Sequence, residues 1–384
     1  MKQKPQLIVV TLMMPQGTTG VQTHFNQILK AADGNGYQTS IVHPFDFNWL
    51  ARKAVGLITR LLRPINKEWV NIWVRWAHYQ FIKYTLRQVL STSNDPIILY
   101  AQDPLSAKAA LVARTDKKNQ RIATVIHFNI SEADECLMIG LTKQNGCLYN
   151  HMVNNEKANL PRVDKLFFVA QFMQTVVQKR LPETQNIPSV VIPNFIEDLA
   201  GTTKALTISG DIISVGTLEP RKNQAFILNV LKKCKTLGHI YHLTIIGDGQ
   251  DRNALEELAH ELGLAEQVTF LGFIPNATDY MASHRVFAHS AIIETMGIAL
   301  VEALSYSLPI LAAPVGGIPE VFTDGKEGFY WQLDDIDEAA NKLCELLENK
   351  ALYMDISRNA RTRFIHSFSK QALANKWLDE LIST

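Results

Sequence analysis

The sequence has few cysteines and almost no net charge. Its 384 residues include four cysteines, and 38 basic residues face 37 acidic ones, for a net charge of +1. No two cysteines form a C-x-x-C pair, so the usual zinc spacing is absent and the thiols suit a reducing cytosol. The balanced charge gives no global field for nucleic acid. We therefore expect a cytoplasmic protein whose electrostatics are local.

Long hydrophobic runs are also missing. The apolar segment that begins at Leu7 is too short to span a membrane and lacks a small-residue cleavage site, so we interpret it as a first strand. The hydrophobic content of 47% is nevertheless enough for large cores. A chain of this length is typical of two domains.

Strand-like and helical segments alternate along both halves of the chain. Strands are predicted at 7–12, 97–100, 122–126, 165–169 and 190–192, and then at 212–215, 242–246, 268–271, 286–288 and 309–312. This alternation predicts an α/β protein of two Rossmann-like, doubly wound domains, at 1–200 and 208–366, with a linker at 197–207. We expect ligands beyond the carboxyl ends of the strands, in a cleft that the domains face.

Residues 46–90 depart from this rhythm because they are basic and rich in tryptophan. The segment holds eight Lys or Arg residues against Asp46 and Glu68, together with Trp49, Trp69, Trp73 and Trp76. One interpretation is an interfacial segment that contacts anionic lipid or receives a lipid-linked acceptor. The other is a helical insertion whose aromatic residues pack on the N-terminal core. The sequence leaves both open.

The segment from Glu294 to Glu320 carries the strongest chemical signal. Gly297 stands at a predicted helix start, where the backbone can approach a ligand closely and free N–H groups attract phosphate oxygens. Glu294 precedes this helix and Glu302 lies inside it, so the two carboxylates can reach different parts of one elongated ligand. A sugar hydroxyl and a ribose would suit them.

These residues resemble the family 4 glycosyltransferases, which are retaining enzymes of the two-domain GT-B architecture. Glu294 and Glu302 match the family's E-x7-E motif, and a glycine pair with Pro and Glu follows at Gly316, Gly317, Pro319 and Glu320. The resemblance implies that Glu294 contacts the donor sugar and Glu302 holds the nucleotide ribose. It also implies that the Met296, Gly297 and Ile298 amides cradle the sugar and phosphate, and that a C-terminal helix at 367–384 packs back on the first domain.

A second match follows the strand at 212–215. Lys222 stands where the family places its phosphate-binding lysine, whereas Thr217 occupies the position of an arginine in many members. Leaving-group phosphates need positive charge, and Arg221 is the candidate that could replace the missing cation. We expect Lys222 to act in catalysis and Arg221 to bind the donor.

Four further positions complete the resemblance. Gly247 and Gly249 match positions beside the nucleotide base, and they do not complete the G-x-G-x-x-G pattern of a nicotinamide site. In the N-terminal half, Gly20 resembles the family's glycine loop near the donor phosphate. His127 follows a predicted strand, where it would face the donor sugar as a catalytic-site residue and donate a hydrogen bond to a hydroxyl.

No metal or cofactor is expected. Asp335-Ile336-Asp337 spells the D-x-D signature of another glycosyltransferase class, but its acids look like those of a helix's first turn. With phosphate charge met by lysine, arginine and backbone amides, the reaction requires no divalent ion.

The sequence therefore predicts a retaining glycosyltransferase that uses a nucleotide diphosphate sugar and a lipid-linked or cell-surface glycan acceptor, at the inner face of the cytoplasmic membrane. The donor base stays open between GDP-mannose and UDP-sugars. Two alternatives are a sugar-nucleotide epimerase of the same architecture and a non-catalytic glycan- or nucleotide-binding partner in a polysaccharide assembly complex.

Overall fold

The computed structural model of the chain describes residues 4–17, 19–93, 95–200 and 210–384, which form two compact units. The first unit is Met1–Pro193 with Leu373–Thr384, and the second is Asn194–Ala372. Each unit has one six-stranded sheet among its described residues, and all strand pairs in both sheets are parallel.

The first sheet has the strand order β2-β1-β3-β4-β5-β6. Its strands are β1 (Gln6–Val10), β2 (Thr39–Val42), β3 (Ile97–Ala101), β4 (Gln120–Ile126), β5 (Lys165–Phe168) and β6 (Ser189–Val191). Every residue of the central strand β3 is buried, as expected for a parallel strand with helices on both faces.

Seven helices within the described residues alternate with these strands. They are α1 (Gly20–Gly34), α2 (Trp49–Leu62), α3 (Lys67–Thr92), α4 (Pro104–Ala113), α5 (Glu132–Met138), α6 (Cys147–Asn159) and α7 (Gln171–Arg180). Thr19 and Gln22 form a capping box at the start of α1, which fixes where this helix begins after the first strand.

The second sheet has the order β12-β11-β10-β7-β8-β9. Its strands are β7 (Ile212–Val215), β8 (Leu243–Ile246), β9 (Val268–Gly272), β10 (Val286–His289), β11 (Ile310–Ala312) and β12 (Gly328–Tyr330). The strand order reverses between β7 and β10. In an open α/β sheet, such a reversal opens a crevice at the carboxyl ends of the two strands.

The helices of the second half cover both faces of this sheet. They are α8 (Gln224–Thr236), α9 (Arg252–Glu261), α10 (Ile298–Ser305), α11 (Ile318–Val321), α12 (Ile336–Glu348) and α13 (Lys350–Ser367), and the last helix of the chain is α14 (Lys370–Ile382). The core between the sheet and α8, α9 and α12 is aliphatic, with Trp331 fully buried in it.

Two of the twelve described strands, β2 and β12, were not predicted. Each lies at one edge of its sheet, is only three or four residues long, and is partly exposed. Such strands carry a weak apolar signal because a single neighbouring strand and one covered face stabilise them.

The unit boundaries also differ from the predicted ones at residues 200 and 367. Ile196 forms a parallel strand bridge with Ser369, and Asp198 forms an ion pair with Arg361 at 2.5 Å. These contacts place residues 194–198 in the second unit. The chain returns to the first unit at Leu373. Most of the predicted linker, at 201–207, lies outside the described residues.

The C-terminal part of α14 packs on the first sheet. The Trp377 ring stacks on Phe167 with centroids 5.2 Å apart, and its indole N–H donates to the Pro193 carbonyl at 3.0 Å. Lys165 donates to the Glu380 carboxylate at 2.6 Å.

The basic, tryptophan-rich segment divides into two parts with different environments. The C-terminal half of α3 packs on the core through Ala77, Ile82, Leu86 and Leu90. By contrast, α2 has no buried residue. Helix α3 therefore packs on the core through aliphatic residues, whereas Trp49, Trp69 and Trp76 are about half exposed and do not supply the packing that the second interpretation predicted. No helix in the described part of the chain is long and apolar enough to cross a membrane.

We expect Trp377→Ala to lower the free energy of unfolding by about 3–5 kcal/mol, because it leaves a cavity against Phe167 and removes the bond to Pro193. Urea unfolding followed by circular dichroism measures the change. Trp69→Ala is the control, since that indole is 54% exposed and should cost little. Equal midpoints for the two variants would contradict the packing role.

Candidate active site

The predicted site residues of the second unit meet where β7 and β10 end. These two strands are neighbours in the sheet, and both run in the same direction. The loop after β7 leads to a 3-10 turn at Pro220–Lys222, and the loop after β10 leads to Glu294. Adjacency of the strands therefore brings together residues that are far apart in the chain.

Backbone hydrogen bonds join the two loops. The Ile292 amide donates to the Arg221 carbonyl at 2.9 Å. The Ser290 hydroxyl bonds to the carbonyl oxygens of Lys222 at 3.0 Å and Asn223 at 2.7 Å. Asn223 has the left-handed backbone (φ 51°), a conformation that asparagine tolerates. The turn thus ends with Arg221 and Lys222 beside the second loop.

Three nitrogen-bearing side chains converge on one oxygen, Oε2 of Glu294. The Lys222 ammonium donates to it, the His289 Nε2 lies 3.3 Å away and an Arg221 guanidinium nitrogen lies 4.0 Å away. Burial by itself would raise the pKa of Glu294, but the Lys222 charge and His289 outweigh burial and hold this pKa well below its usual range. Glu294 is therefore an ionised carboxylate at neutral pH.

Arg221 has a second acidic partner. Its Nε lies 2.6 Å from Glu219 Oε1, and its side chain is about one-quarter exposed. The guanidinium carries more donors than these two contacts use. It can therefore contact a further anion.

Two glycines allow the loop of Glu294 to pack closely. At Gly316 (φ 57°), a Cβ would stand 1.9 Å from the Glu294 carbonyl oxygen, and at Gly297 (φ 72°) it would stand 2.5 Å from Leu300 Cδ1. The Gly317 amide donates to the same Glu294 carbonyl at 3.0 Å. The backbone leaves no room for a side chain at Gly316, and the positive φ of Gly297 disfavours one there, so both positions suit glycine.

Helix α10 begins directly after Gly297, and no side chain caps its start. The Met296 side chain turns inward, where its sulfur accepts a bond from the Asn194 amide at 3.3 Å. Met296 can therefore offer a ligand only its backbone. The backbone N–H of Ile298, in the first turn of α10, has no acceptor among the described residues. The predicted phosphate cradle stays a prediction.

Glu302, inside α10, has the opposite electrostatic environment to Glu294. No described residue forms an ion pair with its carboxyl group. Burial raises the pKa of Glu302 to about 8. Its carboxyl group is mostly protonated at neutral pH and can exchange hydrogen bonds with hydroxyls.

Gly247 and Gly249 are explained by the packing of neighbouring loops. A Cβ at Gly247 would lie 1.9 Å from the Gly216 carbonyl oxygen, and one at Gly249 would lie 2.2 Å from that of Leu218. The Leu218 amide donates to the Asp248 carbonyl at 3.0 Å. Their predicted contact with the nucleotide stays a prediction.

The structure places His127 and Gly20 in the first unit. His127 follows β4, and its Nε2 is 3.2 Å from Gln102 Oε1. Burial, and then the neighbouring His24, hold the pKa of His127 well below its usual value, so the ring is neutral. Gly20 is the first residue of α1. His24, which bonds to the Tyr100 hydroxyl at 2.7 Å, was not predicted because it lies within a helical pattern.

Asp335 and Asp337 have the helix-start roles that the sequence indicated. Asp335 accepts a bond from the Glu338 amide at 2.8 Å as the N-cap of α12, and Asp337 pairs with Lys233 at 2.8 Å. The described residues contain no cluster of three or more His, Cys, Asp or Glu side chains suited to a metal ion.

The raised pKa of Glu302 predicts a pH-dependent stability. Between about pH 5 and pH 8 the folded state holds a proton that the unfolded state releases, so unfolding becomes easier as pH rises. The side chain of the Glu302→Gln variant has the size of a protonated glutamate and does not titrate. From about pH 5 to pH 8, the melting temperature of wild type should fall by a few degrees (about 3) relative to the variant. Parallel curves would contradict the burial of Glu302.

Known proteins resemble part of the chain in sequence. The family model described as glycosyl transferases group 1 matches residues 207–363. An N-acetylgalactosaminyltransferase of Campylobacter jejuni, named for a diphospho-undecaprenol acceptor, is 31% identical over 44% of this chain and 46% of its own. A GDP-mannose-dependent phosphatidylinositol monomannoside mannosyltransferase of Mycobacterium tuberculosis is 29% identical over 35% and 38%. The chain thus spans about half or less of the length of these relatives.

Solved structures resemble the whole chain in fold. A sucrose-phosphate synthase from Thermosynechococcus elongatus superposes with a TM-score of 0.76 at 15% identity and covers 99% of this chain and 100% of its own. HepE of Anabaena, solved with UDP and glucose, gives 0.70 at 16% identity with the same coverage. The predicted fold class, with the two Rossmann-like domains of the GT-B architecture, is confirmed. Residues 207–363 thus resemble the group 1 glycosyl transferases, and the predicted resemblance of the chain to the family 4 glycosyltransferases is confirmed.

Proposed function

We propose that this protein is a retaining glycosyltransferase that transfers a sugar from a nucleotide diphosphate sugar to an acceptor hydroxyl. The observation that carries this proposal is the convergence of Lys222, Arg221 and Glu294 beside the start of α10. A diphosphate sugar needs cations and free amides for its phosphates and a carboxylate for its sugar hydroxyls. This group of residues supplies each of them.

The donor would lie along α10. In this proposal the Gly297 and Ile298 amides and the Lys222 and Arg221 cations bind the diphosphate, with Arg221 in place of the cation that Thr217 lacks. Glu294 binds the sugar and Glu302 binds the ribose. Gly247 and Gly249 lie beside the base. This arrangement agrees with the electrostatics, since Glu294 is ionised and has only one of its two oxygens engaged by described residues.

The leaving phosphate is proposed to accept the acceptor's proton on the face where it departs. The new glycosidic bond forms on that same face as the old bond to phosphate breaks, so the anomeric configuration is kept. Lys222 and the start of α10 stabilise the negative charge that develops on the phosphate. Glu294 binds hydroxyls and is not a nucleophile. No divalent ion takes part.

In the first unit, His127 and Gly20 are proposed to serve the donor sugar and phosphate on the strength of the family resemblance. The neutral His127 ring can donate a hydrogen bond without adding charge. Its contact with Gln102 sets the orientation of that ring.

The acceptor is proposed to be a lipid-linked glycan, reached at the inner face of the cytoplasmic membrane through α2. Leu50, Leu57 and Leu61 form an exposed apolar face on this helix, each more than half exposed. At helical spacing, Lys53 and Arg60 lie beside this face, and their charges suit anionic headgroups. Both relatives described above carry names with lipid acceptors, which supports this choice.

Helix α2 contacts the rest of the first unit through α3. The Trp73 indole donates to the Val55 carbonyl at 3.4 Å, and Trp73 stacks on Trp76 with centroids 5.1 Å apart. Val55 and Thr59 are half-buried, whereas Leu57 and Leu61 are exposed. An apolar face with no protein partner among the described residues is what an interfacial helix presents.

Activity is tested in two steps. A thermal-shift screen with UDP and GDP identifies the base, because a ligand of the folded state raises the melting temperature. The purified protein is then given the matching nucleotide sugars with a bacterial membrane-lipid extract. We expect release of nucleoside diphosphate that requires acceptor, and a lengthened glycolipid with the donor's anomeric configuration. An epimerised donor without acceptor would favour the epimerase, and binding without turnover would favour the non-catalytic partner.

In the same assay, Lys222→Ala should lower kcat by about 10²- to 10³-fold and change KM less, because the lysine stabilises charge that grows in the transition state. Lys233→Ala is the matched control, since Lys233 pairs with Asp337 away from the site. Unchanged kcat in Lys222→Ala would show that the site is misplaced.

Membrane contact is tested by sedimentation with vesicles of phosphatidylcholine, with and without phosphatidylglycerol. Wild type should bind the anionic vesicles, less so at high salt, and the double variant Leu57→Ala, Leu61→Ala should bind about tenfold more weakly. The control is Leu237→Ala with Ile240→Ala, two exposed apolar residues of the second unit. Absence of binding by wild type, or equal loss in the control, would refute this role of α2.

A further inference from the structure

His289 is a buried titratable residue next to the site that the proposed reaction does not use. It is the last residue of β10, only 4% exposed, and its ring lies nearly parallel to that of Phe287. Its Nε2 is 3.3 Å from Glu294 Oε2, yet this buried nitrogen makes no hydrogen bond of acceptable geometry to a described residue. The Nε2 of His289 is therefore available to form a hydrogen bond of better geometry.

Lys222 already donates a hydrogen bond to Glu294 Oε2, the oxygen with which His289 would otherwise bond. Both the ammonium and the Nε2 point at Glu294 Oε2, and the ammonium is the closer of the two. The proposed function gives Lys222 a different partner, the donor diphosphate. The ammonium cannot give its full charge to both a carboxylate and a diphosphate, so binding of the donor weakens its contact with Glu294.

We propose that donor binding exchanges the partners of Glu294: Lys222 turns to the diphosphate, and His289 takes up a proton from solvent and replaces it at Oε2. This inference rests on the proposed function, because it requires a diphosphate at Lys222. His289 is then a positioning residue, which holds Glu294 ionised and oriented toward the donor sugar while the lysine serves the phosphates.

The charges around the ring determine the direction of this exchange. In the free protein, burial first and then Lys222 lower the pKa of His289, with a smaller contribution from Arg221, while Glu294 opposes them. These three groups are the charged neighbours of the ring within the described residues. Donor binding brings negative charge and draws Lys222 away, whereas Glu294 remains. The pKa of His289 therefore rises on binding, and the ring becomes charged.

Proton uptake has a definite consequence for affinity. A ligand whose binding takes up a proton binds more tightly as pH falls through the range in which that proton is exchanged. We expect the contribution of His289 to increase the affinity for the donor from pH 8 to pH 6. Glu302 can contribute the opposite sign, because its proton is released if its carboxylate binds the ribose. The difference between wild type and a His289 variant isolates the histidine.

The experiment is calorimetric titration of the full chain with UDP-glucose and with GDP-mannose, whose phosphate diesters do not titrate in this range. Runs in phosphate and Tris buffers at pH 7 give the number of protons taken up. Wild type should take up more protons per site than His289→Gln, by at most one, because the pKa of His289 is lowered in the free protein and rises when the donor binds. The ratio of wild-type affinity to His289→Gln affinity should increase as pH falls from 8 to 6. His289→Asn serves as a second variant if the first does not fold.

His284→Gln is the matched control. His284 precedes the same strand and is also buried, but it bonds to Thr244 and the Tyr280 carbonyl away from Lys222. It should keep the proton uptake of wild type. Binding with equal uptake in wild type and His289→Gln would overturn the exchange and leave the proposed function intact. If neither nucleotide sugar binds wild type, the proposed function itself fails, and the exchange fails with it.

Discussion

The site depends on one interaction, the contact between the Lys222 ammonium and the Glu294 carboxylate. A buried carboxylate is costly unless a cation faces it, and removal of either partner would leave an uncompensated charge. The contact exists because β7 and β10 are neighbours in a parallel sheet, so the segments that follow them leave at the same edge. The order of the strands thus determines the electrostatics of Glu294.

Close backbone packing positions the two loops that carry Lys222 and Glu294. Gly316 and Gly247 lie so near neighbouring carbonyl oxygens that neither position has room for a Cβ. Hydrogen bonds from Ile292 and Ser290 then tie the loop of Glu294 to the turn that carries Lys222. In the proposed exchange this backbone stays in place, and only the side chains of Lys222 and His289 change partners. A fixed backbone with a few mobile charged side chains suits a donor that must bind tightly and whose nucleoside diphosphate must then dissociate.

The two units carry different kinds of surface. The second has the charged group around Glu294 and the protonated Glu302, which suit a polar, elongated donor. The first has the exposed leucines of α2 beside basic residues, which suit a lipid surface. A transferase that joins a water-soluble donor to a lipid-linked acceptor would need both.

The sequence by itself determined the doubly wound class and the central strands, and it indicated the candidate site residues. Buried parallel strands are continuous apolar runs, and Glu294, Gly297 and Glu302 stand in one short segment whose spacing is visible in the chain. Tertiary structure decided the rest. The edge strands β2 and β12 form only because a neighbouring strand pairs with them. The pKa of His289 depends on burial and on Lys222, which lies in another loop. Charge and burial act through space and not along the chain, so the sequence could not show this.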